Sequence, residues 1–326
     1  MLKINLEKAV SAIREKKAKI VLLELPEGLK TRNIAIAKEL GEKTSAQIIS
    51  RIDPCFGACG LNENMAKQAN ADLIVHLGHT QFFSPETESF FVPLEYEIDR
   101  HKIKETMEEC AKQLKEKKIG SAVLCSAIQY TGYLEEAKKL LEKKGIKTEI
   151  AEGKGVEKGQ ILGCNYSSAK SNANAIVFLG DGLFHPLGIA FSSEKKVFIA
   201  NPLEKECRAL SKEKGLFLKK RFAVISQAME AQNFGILISS KKGQFRMKKA
   251  LELKGLIEKH HKKAFLFTGD LIKPDYLLGL EIDAFVCTAC PRIAIDDSSS
   301  YAKPMLTPNE LKIVLGEKKE YSTDEF

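Results

Sequence analysis

The segment ADLIVHLGHTQFF, which begins at Ala71, recurs as ANAIVFLGDGLFH from Ala173, an offset of 102 residues. Ala, Ile, Val, Leu, Gly and Phe recur in step, and each copy reads as a β-branched strand ending in a Gly-containing turn. Solenoid repeats have periods of ~20–50 residues, so a period this long implies repetition of a domain-sized unit. Around both copies, short apolar strands alternate with charged helical stretches, the pattern of parallel βαβ units.

The first unit contains strands KIVLLEL (19–25), AQIIS (46–50) and DLIVHLG (72–78), with helices near 29–40 and 62–69. The second opens with a charged helix over 101–118 and continues through SAVLCSA (121–127), KTEIAE (147–152), AIVFLG (175–180) and KVFIAN (196–201), with a helix near 133–144. A weaker third set comprises FGILISS (234–240), AFLFTGD (264–270), a short helix from Pro274, and DAFVCTA (283–289). The expected class is therefore α/β: three similar parallel-sheet α/β units, a domain triplication, over residues 1–100, 101–210 and 211–326. A helix from Glu204 to about Gln232 is expected to bridge the last two, with Gly215 as a potential break. The first residues read as an amphipathic helix with Ile4, Leu6, Val10 and Ile13 as its apolar positions.

No apolar run approaches the ~18 residues of a membrane span, and the N-terminal stretch has no apolar signal core, so a cytoplasmic protein is expected. The 51 Lys and Arg exceed the 43 Asp and Glu by eight, but they lie in mixed-charge runs such as KEKK (115–118); aromatics are 7% with no Trp. That distribution favours solvated helix faces over direct nucleic-acid binding. Eight Cys in a reducing compartment are unsuited to a disulfide framework, so each must be core filler, metal ligand or reactive thiol.

Cys110 falls in step with Ile103, Met107 and Leu114 on one helix face, Cys125 lies inside an apolar strand, and Cys207 reads as helical beside Leu203 and Leu210. These three are expected to pack as small hydrophobes. The other five follow strands: Cys55 and Cys59 in DPCFGACG, Cys164 in GQILGCN, and Cys287 and Cys290 in VCTACPR. Parallel sheets gather ligands beyond the carboxyl ends of their strands, where these loops lie. One thiolate from each unit on a 4Fe-4S cluster would leave one iron open for a substrate. C-x3-C with C-x2-C could instead form a four-thiolate zinc site, or the thiols could remain unligated. The cysteine motif of ordinary radical S-adenosylmethionine enzymes is absent.

With LPEGL (25–29), GAC (57–59), HLGHTQF (76–82), LGCN (162–165), FLGDGLFH (178–185), FGILISSKKGQ (234–244) and TACPRIAIDD (288–297), the chain resembles the archaeal diphthamide biosynthesis enzymes, the 2-(3-amino-3-carboxypropyl)histidine synthase family. GAC, LGCN and TACPR in this order carry most of the specificity. The chain departs from the family over 241–244, where a GRQG-like stretch is usual. The resemblance implies a 4Fe-4S cluster held by Cys59, Cys164 and Cys290, with Cys55 and Cys287 outside the ligand set. It implies cleavage of the bond from sulfur to the γ-carbon of S-adenosylmethionine by a noncanonical radical mechanism. The 3-amino-3-carboxypropyl group would pass to C2 of a histidine of translation elongation factor 2, the first step of diphthamide biosynthesis. It further implies a homodimer and an electron donor that the sequence does not name.

Polar groups at strand ends are expected to position the cosubstrate: His79, Gly180, Asp181, Gly182, His185 and Arg292, the last by forking onto a carboxylate. No residue is assigned an acid–base role. The plainer alternatives are a simple turn for Gly180–Gly182, pairing of Arg292 with Asp296 or Asp297, and a helix-start charge for Glu27. The alternative functions are a quinolinate-synthase-like iron-sulfur enzyme, which shares the triplicated fold, and a non-catalytic metal-binding partner subunit.

Overall fold

The computed structural model describes residues 2–325. Its first sheet contains β1 (Leu2–Ile4), β2 (Ile20–Glu24), β3 (Gln47–Ser50), β4 (Leu73–Gly78) and β5 (Ser89–Tyr96), in the order β1-β5-β4-β2-β3. The second contains β6 (Ser121–Ser126), β7 (Lys147–Glu149), β8 (Ala175–Leu179), β9 (Lys196–Asn201) and β10 (Glu206–Ala209), in the order β10-β9-β8-β6-β7. The third contains β11 (Asn233–Ser239), β12 (Lys263–Gly269), β13 (Ala284–Cys287) and β14 (Met305–Leu306), in the order β12-β11-β13-β14. Four parallel strands thus run in a common order, β5-β4-β2-β3, β9-β8-β6-β7 and β14-β13-β11-β12. The first two sheets add an antiparallel edge, β1 on β5 and β10 on β9.

The 102-residue echo falls on β4 and β8, which occupy the same place in their sheets. Every residue of both is buried, as expected for strands covered on both faces by helices, which need continuous apolar runs. His76 is the one exception in composition within β4, and it is fully buried. Helices such as Leu6–Glu15, Arg100–Glu116 and Met247–Lys259 turn their apolar stripes onto separate cores, one for each sheet.

Three expectations about elements need correction. Ile4 belongs to β1 rather than to the first helix, whose buried face is Leu6, Val10 and Ile13. Cys207 lies in β10, paired with Ala200, because the open edge of β9 takes a strand there. The bridging helix consequently spans only Lys212–Ala228, and Gly215 sits inside it without a break. Cys110, Cys125 and Cys207 are all buried among apolar side chains, so the packing role assigned to them stands.

The sheets meet through loops beyond their carboxyl edges. Thr80 Oγ1 and Gln160 share two hydrogen bonds, at 2.7 and 3.1 Å, between the first and second. The Arg292 guanidinium lies 4.6 Å over the Phe184 ring, joining third to second. Lys242 Nζ reaches Glu63 at 3.3 Å and Glu86 at 3.0 Å, joining third to first. Among the described residues no helix is long and apolar enough to cross a membrane.

Candidate metal centre

Cys59 lies in a short 3-10 turn, Ala58–Gly60, that one buried ion pair clamps from both sides. Arg51 Nη1 donates to Gly60 O at 2.8 Å and to Glu24 Oε1 at 2.9 Å, while Glu24 Oε1 also accepts from the Asn62 amide at 2.9 Å. Both side chains are almost wholly buried, where a charge persists only when paired. Burial alone would raise the Glu24 carboxyl, but its hydrogen bond to His76 and the charges of His76 and Arg51 outweigh that and hold it below the ordinary range. The second Glu24 oxygen lies 2.9 Å from His76 Nδ1, and His76 Nε2 lies 2.9 Å from His79 Nδ1.

The loop after β11 covers the same turn. A Cβ on Gly243 would stand 2.5 Å from Cys59 Cα, so only glycine fits this approach, and Gln244 Nε2 donates to Cys59 Sγ at 3.1 Å. The segment 241–244 therefore seats the first thiol directly.

Cys164 sits in a tight turn closed by Leu162 and Asn165, which exchange backbone hydrogen bonds at 3.1 and 3.2 Å. Gly163 allows the Phe184 ring to press on this turn, since a Cβ there would lie 2.1 Å from it. Cys290 is the residue before the helix Pro291–Ile295, in an extended conformation that suits the position preceding proline. Cys287, at the end of β13, is buried and points its Sγ to Cys290 O at 3.6 Å.

The loops that carry Cys59, Cys164 and Cys290 are joined by contacts: Gln244 reaches Cys59 Sγ, Arg246 spans Gln244 O and Ala289 O, and Arg292 covers the Phe184 ring against Gly163. Burial pushes the Cys164 thiol up to about 12, with further increments from Cys290 and Cys59. Burial likewise pushes Cys290 up to about 11, against the Arg292 amide and with Cys59 adding to the rise. Arg246 stands among these sulfurs: its guanidinium donates to Gln244 O at 3.1 Å and Thr288 O at 3.2 Å, and also to Ala289 O. Burial lowers its own pKa, opposed by Cys164, Cys290, Cys59 and Cys287 in that order.

Thiols held this high ionise only when a strongly bound cation replaces the proton, the ordinary condition of a structural or catalytic metal-thiolate site. Three sulfurs, one from the loops of each sheet, with one guanidinium to offset their charge, fit a 4Fe-4S cluster with one iron left open.

The cosubstrate residues expected from sequence divide into two groups. His79 lies with His76, Glu24 and Cys55 beneath the Cys59 turn; burial, then the His76 charge, push its imidazole down to about 3. The other five lie at the junction of the second and third sheets. Asp181 accepts from Tyr130 Oη at 2.9 Å, and Gly180 and Gly182 both have positive φ, so the turn reading of this stretch holds as geometry. His185 stacks on Phe178 at 5.8 Å, and Arg292 pairs with Asp296 at 2.7 Å while 58% of its side chain stays exposed. Glu27 pairs with Lys30 at 2.8 Å on the surface, the helix-start role.

Sequence reasoning missed Glu24, Arg51, His76, Gln244 and Arg246. Glu24 and His76 had a visible signal, a polar residue inside a strand otherwise apolar on both faces. Arg246 and Gln244 had none, because only the third sheet's approach to the first gives them a role.

The family model described as diphthamide synthesis protein matches residues 25–326. The 2-(3-amino-3-carboxypropyl)histidine synthase of Pyrococcus horikoshii is 36% identical over 315 residues, covering 95% of this chain and 89% of that protein. The enzyme of the same name from Methanocaldococcus jannaschii is 32% identical over 318 residues, covering 94% and 87%. The crystal structure of Dph2 from Pyrococcus horikoshii with a 4Fe-4S cluster superposes with a TM-score of 0.92 at 34% identity, covering 100% of this chain and 94% of the other.

Proposed function

Because this chain belongs to the diphthamide synthesis protein family, whose named relatives are transferases, we propose that it moves the 3-amino-3-carboxypropyl group of S-adenosylmethionine to C2 of a histidine of translation elongation factor 2. The products would be the modified histidine, methylthioadenosine and a proton. The observation that carries the reading is a run of contacts linking the three cysteine loops: Gln244 on Cys59 Sγ, Arg246 between Gln244 O and Ala289 O beside Cys290, and Arg292 over the Phe184 ring that packs on Gly163 beside Cys164.

In this reading those three sulfurs hold a 4Fe-4S cluster. When bound, the cluster would lend one electron to the sulfonium and recover it as the imidazole adduct loses its C2 proton, and it would offer an open iron to the methionine portion. The protein's own contribution is geometric and electrostatic. The Glu24–Arg51 pair and Gly243 hold the Cys59 turn, Gln244 donates to its sulfur, and Arg246 offsets thiolate charge. Arg292, over the Phe184 ring that packs on the Cys164 turn, suits the carboxylate of the methionine portion, and Asp181, held by Tyr130 and near His185, suits its amine. His185 stays neutral, since burial and then the Arg292 charge push it down to about 4.

A cavity of about 730 Å³ runs between the second and third sheets, walled by Tyr166, Leu183, Phe184, Lys220 and Tyr301. Its volume lies within the usual ~300–1,000 Å³ of ligand sites, and two of its walls, Tyr166 and Phe184, pack on the Cys164 turn. It supports an approach for the acceptor loop from that side. The acceptor arrives on a separate protein, and a homodimer and an external reductant complete the proposal.

The test is anaerobic reconstitution with iron and sulfide, followed by dithionite and S-adenosylmethionine. Methylthioadenosine should accumulate. Accumulation of 5'-deoxyadenosine alone would mean that the adenosyl bond is the one cut, and would overturn the reading.

A further inference from the structure

Beneath the Cys59 turn lies a second group of donor atoms that the cluster does not use. Cys55 Sγ and one ring nitrogen each of His76 and His79 all lie within 4.8 Å of one another. Cys55 and His76 are buried, and His79 is half-buried. They come from two segments: Cys55 from the loop after β3, and the two histidines from within β4 and the residue just beyond it. The spacing, one Cys followed at a distance by His-x2-His, uses the mixed sulfur and nitrogen donors that zinc prefers.

The surroundings of the group are those of a metal ligand set. His76 Nδ1 lies 2.9 Å from Glu24 Oε2, a carboxylate–histidine contact that fixes the ring and turns Nε2 toward Cys55 and His79. Glu24 is itself held by Arg51 and the Asn62 amide, so the orienting carboxylate cannot swing away. His76 Nε2 and His79 Nδ1 stand 2.9 Å apart, sharing one proton. Nitrogens on a tetrahedral ion at ~2.0–2.1 Å lie about 3.3 Å apart, so a slight opening of the rings replaces that proton with a metal. The Arg51 cation nearby offsets the thiolate that Cys55 would become.

We propose that Cys55, His76 and His79 form a zinc site distinct from the Cys59–Cys164–Cys290 centre. Binding releases the Cys55 thiol proton and the proton held between the two imidazoles to solvent, so that both rings ligate as neutral groups, with no change of oxidation state. Cys55 and Cys59 belong to one loop, so the ion ties the loop of the first cluster cysteine to β4. The site makes that loop's order depend on a second metal, independently of whether the transferase reading is correct.

The test uses a full-length Cys59→Ser/Cys164→Ser/Cys290→Ser variant, stripped with chelator and titrated with Co(II). One equivalent should bind, with thiolate-to-cobalt charge-transfer absorption in the near ultraviolet and visible tetrahedral bands, both removed by one equivalent of Zn(II). Adding Cys55→Ser should abolish the charge-transfer band, and adding His79→Gln should weaken binding roughly 100-fold or more. Zn(II) should also raise the Tm of the triple variant but not that of its His79→Gln derivative. No stoichiometric Co(II) binding in a folded triple variant, or binding unchanged by Cys55→Ser and by His79→Gln, would overturn the proposal.

Discussion

His185 stacks against Phe178 and faces the Arg292 guanidinium, and burial followed by that charge pushes its pKa from 6.5 down to about 4. The unfolded chain therefore takes up a proton on this imidazole before the native protein does. The stability that follows is fully present above pH 6.5 and is lost as pH falls from there toward 4. A His185→Gln variant should accordingly lose less stability than the parent between pH 7.5 and 4.5, by about 2 kcal/mol. Urea unfolding at the two pH values measures this, and identical pH slopes in parent and variant would refute it. Single residues were legible in the sequence where they broke a local pattern: the five strand-end cysteines stood apart from the three in apolar helices and strands. Of the two readings of Arg292, the structure has the pairing with Asp296, while its ring-facing side covers Phe184. Gln244 and Arg246 acquire their roles only from tertiary approach, which no local pattern encodes.

Among the elements, the strands of the repeat were the most readable because each is buried on both faces and must be continuously apolar. β10 was misread as helix because Cys207 and Leu210 also satisfy a helical spacing, and the pairing with β9 that decides the matter is invisible in the segment itself. The C-terminal segment was likewise unreadable, although it joins two sheets. Tyr321 lies 5.0 Å from Phe191 of the second unit and 5.7 Å from Phe217 of the following helix, ring centre to ring centre. Nearby, Lys170 pairs with Glu325 at 2.9 Å. Tyr321→Ala should remove this aromatic contact and cost about 2–3 kcal/mol, seen as a lower urea midpoint with little change in slope. A loss below about 0.5 kcal/mol would mean that the tail adds no packing between these units.

For the molecule as a whole, the three sheets share one strand order, and we propose unit boundaries near residues 100 and 210, in the stretches between the last strand of one sheet and the first of the next. The 102-residue echo made two of the units legible. The third diverges more, since β13 and β14 are short and among the described residues it has no antiparallel edge strand. How the units face one another rests on long-range junctions that include Thr80 with Gln160, Arg292 with Phe184, and Gly243 with Cys59. Those contacts bring the three cysteine loops together, and the proposed transfer depends on them. The most direct measurement is transfer of label from S-adenosylmethionine carrying it in the aminocarboxypropyl carbons, using reduced, reconstituted protein. Wild-type elongation factor 2 and a form with its target histidine replaced serve as acceptors. Label should pass to the wild-type factor alone, and labelling of the histidine-replaced form at the wild-type level would contradict the account.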